Sequence, residues 1–76
     1  MKLKIKLNTP EDVATFSKII NQCSFDVDIE SQHTFVDAKS LLRLYSINLN
    51  EPITLDIHGN DDECTELMAK LIDFIY

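Results

Sequence analysis

Three observations in the sequence predict an α+β fold built on one antiparallel sheet. Four short stretches alternate apolar and polar residues with a period of two, two longer stretches repeat apolar residues at helical spacing, and these stretches follow one another in the order βαββαβα once a short helix after residue 40 is counted. Strands that are apolar on one side need only one covered face, so the helices are expected on that face and water on the other. A chain of 76 residues makes a single domain, residues 1–76, with an economical core and no deep, many-walled active site.

Each element has its own justification. KLKIKL at residues 2–7 puts Leu3, Ile5 and Leu7 on one face and Lys2, Lys4 and Lys6 on the other, which is a half-buried strand. In NTPEDVATFSKIINQC, Thr9 is the N-cap, Pro10 the first helical residue, and Glu11 and Asp12 suit the positive end of the helix dipole. Val13, Phe16, Ile19, Ile20 and Cys23 form the stripe that faces a core. FDVDIE is a second strand with Phe25, Val27 and Ile29 inward. Its Asp26, Asp28 and Glu30 read as a solvated face rather than a cation site.

Residues 31–33 connect to a third strand through Thr34 and Val36. Ser40 opens a short helix running to about Tyr45, and INLNEP is a loop. ITLDIH is a fourth strand with Ile53, Leu55 and Ile57 inward. Gly59 lies in a turn feeding a last helix, which Asn60 or Asp61 caps and which carries the stripe Cys64, Leu67, Met68, Leu71, Ile72 and Ile75.

Composition narrows the function. Thirteen acidic against seven basic residues give a net charge of −6, which disfavours nucleic acid and anionic membrane as partners and leaves proteins or cationic surfaces. Cys23 and Cys64 form no CxxC and neither joins a close cysteine and histidine pair, so no metal site is expected and both read as semi-buried thiols, reduced and at the same end of the domain. The N-terminal alternation is a strand and not a signal peptide, and no stretch is long enough to span a bilayer, so a cytoplasmic location is expected. There is no nucleophile and base pair, no glycine-rich loop and no metal constellation. The expectation is a protein that is not an enzyme and uses no cofactor.

The element order, VDAKSLLRLYSINLN at residues 36–50 and ITLDIHGNDDECTELMAKLIDFI at residues 53–75 together resemble the histidine-containing phosphocarrier protein (HPr) of the bacterial sugar phosphotransferase system. The resemblance implies an open-faced β-sandwich: a four-stranded antiparallel sheet in the order 1-4-2-3 with three helices on one face. In that family a histidine at the mouth of the first helix accepts phosphate from enzyme I, and an arginine and the helix N-terminus stabilise it. Matching the motif puts Thr9 at the histidine position and Glu11 at the arginine position. A threonine ester is not the high-energy adduct that a phosphoimidazole is, and Glu11 and Asp12 would repel a phosphoryl group. His33, at a strand start, and His58, at a strand end, read as surface residues rather than acceptors.

The resemblance therefore implies a protein-binding or regulatory domain without histidine phosphotransfer; the alternative is a phosphocarrier using an unidentified acceptor. The implied docking surface lies on the first helix and the short helix opened by Ser40, with Thr9, Val13, Phe16, Leu41, Leu42, Leu44 and Tyr45, on a monomer or weak homodimer. Four apolar residues at 41–45 are too many for a short helix to bury on one side. In Gram-positive members of the family the serine of this segment is modified by a kinase, which makes Ser40 a candidate regulatory phosphosite. Its simpler reading as a helix cap comes first.

Overall fold

The computed structural model describes residues 1–31, 34–40 and 51–76. In chain order the described elements are β1 (Lys2–Ile5), α1 (Pro10–Asn21), β2 (Val27–Ser31), β3 (Thr34–Asp37), β4 (Ile53–Ile57) and α2 (Asp61–Lys70), followed by a 3₁₀ turn, Ile72–Phe74. The strands form one sheet in the order β1-β4-β2-β3 with every neighbouring pair antiparallel. β1 and β2 are thus parallel to each other with β4 between them, and α1 carries the chain across that gap.

Alternation decides what each strand buries. Ile53, Leu55 and Ile57 of β4, Val27 and Ile29 of β2, and Ile5 of β1 all face the same layer and are buried. Val13, Phe16 and Ile20 of α1 and Cys64, Leu67 and Leu71 at α2 complete one core with them. The two described helices therefore lie over one sheet face, as half-apolar strands require. The expected short helix over Ser40–Tyr45 falls mostly outside the described residues, as do Leu41, Leu42, Leu44, Tyr45 and His33.

Local chemistry fixes both helix starts. Thr9 Oγ1 accepts the Asp12 N–H at 3.1 Å, with Pro10 just inside the helix. Asn60 and Glu63 form a reciprocal capping box: Asn60 Oδ1 accepts the Glu63 N–H at 2.8 Å and Glu63 Oε1 accepts the Asn60 N–H at 2.9 Å. That box draws Glu63 back over Gly59, where a Cβ would come within 2.9 Å of the Glu63 Cβ and 3.2 Å of the Phe25 ring. Close approach is what the turn requires of Gly59.

Three expectations need correction. β1 ends at Ile5 rather than at residue 7, although Leu7 remains buried beyond it. The connection between β2 and β3 is shorter than residues 31–33, because Ser31 pairs with Thr34 in the ladder. The last helix does not run on to Ile75. It stops at Lys70, Leu71 caps it, and the chain tightens into the 3₁₀ turn, leaving Ile72 65% exposed. Ile75 then forms a β-bridge with Ile5, the Lys6 N–H donates to the Phe74 carbonyl at 2.9 Å, and the Tyr76 N–H donates to the Lys4 carbonyl at 3.0 Å. Phe74 packs against the core. The outer edge of β1 offers unpaired backbone groups that a helical tail could not satisfy, and the extended tail satisfies them.

Candidate functional site

The mouth of α1 is the first candidate, because a helix N-terminus presents amide donors and a partial positive charge to any anion. Thr9 is extended, with φ −135° and ψ 162°, and its carbonyl accepts the first helical bond from Val13 N at 3.2 Å. Its hydroxyl takes the Asp12 amide, and Asp12 Oδ2 in turn accepts the Asn8 N–H at 2.9 Å. The Asn8 and Asp12 amides are thus both taken by the chain's own side chains, and exposed Glu11 adds a second negative charge beside the Asp12 carboxylate.

Of the docking residues expected on α1, Thr9 is exposed, whereas Val13 is 2% and Phe16 0% exposed. Both face the sheet, as the helical stripe requires, and neither can touch a partner on the outer surface. The surface α1 does offer is Glu11, Ala14, Thr15 and Lys18. Ser40 is half-buried at the end of a turn: its N–H donates to the Asp37 carbonyl at 3.1 Å, while Asp37 Oδ1 accepts the Lys39 N–H at 2.9 Å.

His58 lies just past β4 on the open face of the sheet. Its Nε2 is 3.1 Å from Asp28 Oδ2 and 3.7 Å from Asp56 Oδ2. This ring therefore stands beside two strand carboxylates on the sheet rather than at a helix mouth. Cys23 and Cys64 are both unbridged thiols. Cys23 shares a shallow cavity with Glu63, Glu66, Leu67 and Lys70, so the end of α1 lies along one side of α2. Burial pushes the Cys23 thiol above its usual range, with Lys70 and Lys39 pulling in the other direction.

One feature of the open face was not legible in the pattern. Phe35 of β3 is 60% exposed, because Val36 takes the inward position. In Thr-Phe-Val-Asp, period two permits either Phe35 or Val36 to face inward, and only the pairing of Val36 with Ile29 fixes the choice.

Neither a family model nor a curated protein matches the sequence. Solved structures do match the fold. HPr-C-His from Thermoanaerobacter tengcongensis superposes with a TM-score of 0.74 at 20% identity, covering 96% of this chain and 91% of that one. The phosphocarrier protein HPr of Bacillus anthracis gives a TM-score of 0.69 at 23% identity over 92% and 94% of the two chains. The catabolite repression protein Crh of Bacillus subtilis, described as a domain-swapped dimer, gives 0.63 at 24% identity over 95% and 87%. The fold is HPr-like. The sheet order expected from the resemblance is the observed one.

Proposed function

We propose that this chain is an HPr-like protein-binding and regulatory domain, related to the sugar phosphotransferase system, that works without histidine phosphotransfer and is not an enzyme. The observation that carries this reading is the self-filled mouth of α1. Thr9 takes the Asp12 amide, Asp12 takes the Asn8 amide and puts a negative charge at the mouth, and Glu11 stands where the family motif has an arginine. The likeness in fold to HPr and Crh supports the link to that system. Docking uses the outer side of α1, Glu11, Ala14, Thr15 and Lys18, together with the segment opened by Ser40 and its residues Leu41, Leu42, Leu44 and Tyr45. Ser40 acts first as a cap, and phosphate added there would turn the same segment into a switch.

Incubation with enzyme I and phosphoenolpyruvate tests the proposal. The expected outcome is no acid-labile, alkali-stable phosphate, while Thr15→Arg on the exposed side of α1 abolishes capture of the docking partner. Stoichiometric phosphohistidine would overturn the reading in favour of a carrier with a different acceptor. Intact mass after treatment with an HPr serine kinase and ATP separates the two roles of Ser40.

A further inference from the structure

The open face of the sheet carries an arrangement that the docking reading of α1 does not use. In the ladders Lys2 pairs with Asp56, Asp56 with Asp28, and Asp28 with Asp37, so one row across β1-β4-β2-β3 reads Lys-Asp-Asp-Asp. The next row reads Lys4-Thr54-Glu30-Phe35. Like charges directly opposite each other destabilise a sheet, because the side chains of paired residues lie only about 5 Å apart. The chain relieves this little. The His58 ring serves both Asp28 and Asp56, and the Lys2 ammonium reaches past its register partner to Glu30 Oε2 at 3.4 Å. Asp26, Asp28, Asp37 and His58 line one shallow concavity.

A purely solvated face would be stable with alternating charges, and it would not need an aromatic ring standing in water. Phe35 and Asp37 point to the same side of β3, about 7 Å apart along the strand. A guanidinium bridging Asp28 and Asp37 would form paired charge-assisted hydrogen bonds, and a neighbouring cation would lie over the Phe35 ring. We propose that this face docks an arginine-bearing basic segment of another polypeptide, seated on Asp28, Asp37 and Phe35. Charge complementarity selects that occupant over a second copy, which brings the same net charge of −6. The proposal stands independently of docking through α1, which lies on the opposite face.

The probe is a fluorescein-labelled peptide with three arginines spaced by glycine and serine, followed by anisotropy at about physiological ionic strength, where long-range attraction is screened. The full chain is compared with Asp28→Asn/Asp37→Asn, with Phe35→Ala, and with Asp62→Asn/Asp73→Asn, which removes the same charge from exposed positions elsewhere. The face double variant is expected to weaken binding by about tenfold or more, Phe35→Ala by about threefold, and the charge-matched control by less than about twofold. Equal loss in the control would reduce the effect to net charge and overturn the proposal, as would an unchanged face variant or no binding by the parent chain. Sedimentation of the unmixed chain supplies the other arm: self-association abolished by Asp28→Asn/Asp37→Asn would assign the face to a second copy instead. Thermal unfolding guards against misfolding, since relief of repulsion predicts that the face double variant melts higher than its parent, and a lower midpoint would sink the argument from strain.

Discussion

The two faces of the sheet are built from alternate residues of the same four strands, yet they obey different rules. On the inner face Ile5, Val27, Ile29, Ile53, Leu55 and Ile57 are at most 2% exposed, and every one can be explained by removal of apolar surface from water. On the outer face the order of side chains cannot be explained by stability, because three carboxylates stand in register with one another. The contrast teaches that burial governs which way a strand faces, while the outward residues are left to other demands.

The comparison breaks most visibly in the core. Leu55→Ala should cost about 2–5 kcal/mol in denaturant unfolding, whereas Thr54→Ala, its outward neighbour, should stay within about 0.5 kcal/mol. Equal effects would mean that the two faces are not distinguished by burial at all. A smaller test sharpens the boundary at the end of α2. Leu71→Asp should destabilise severely, through a buried charge without a partner, while Ile72→Asp should be nearly neutral, since Ile72 is exposed. A continuous helix would penalise both.

Gly59→Ala should cost about 1–3 kcal/mol, through overpacking against Glu63 and Phe25. On the outer face, Glu30→Gln removes the Lys2 pair, which is largely exposed, and should change stability by less than about 1 kcal/mol.

The smallest effect concerns Cys23. Its folded thiol is raised by burial, so the folded state holds the proton more tightly than the unfolded state. The stability this contributes is complete below the unfolded thiol range and is lost as pH rises through the folded one. Iodoacetamide mapped by mass should therefore modify Cys23 more slowly in the folded chain than in urea, and Lys70→Gln should slow it further, because Lys70 acts to lower the thiol.

Much of the fold was legible because it rests on local periodicity. The alternations at residues 2–7, 25–30 and 53–58 locate the strands, and Thr9 and Asn60 mark the helix starts by the chemistry of their side chains. The end of the chain was not legible, since Leu71, Ile72 and Ile75 fit a helical stripe as well as they fit a turn. The deciding factor was the distant edge of β1, which no local pattern reveals. The candidate site divides in the same way. The Thr9 and Asp12 mouth follows from one short segment, but the Asp28, Asp37 and Asp56 row exists only through cross-strand register. The stripe containing Val13 and Phe16 was sufficient to bury both, and that burial removes them from the docking surface suggested by family resemblance.

The bridge between residues 74–76 and β1 also bears on how the chain is made. β1 is synthesised before the other strands described, yet its inner neighbour β4 comes some fifty residues later, and among the described residues its outer edge is closed by Phe74 and Tyr76. Contacts so distant in sequence close slowly, because the intervening chain must be ordered before they form. A nascent chain halted before residue 53 would hold this strand with neither neighbour in place, its lysine-bearing side opposing edge-to-edge association. The alternating lysines of β1 thus protect the growing polypeptide during the interval in which the sheet they belong to does not yet exist.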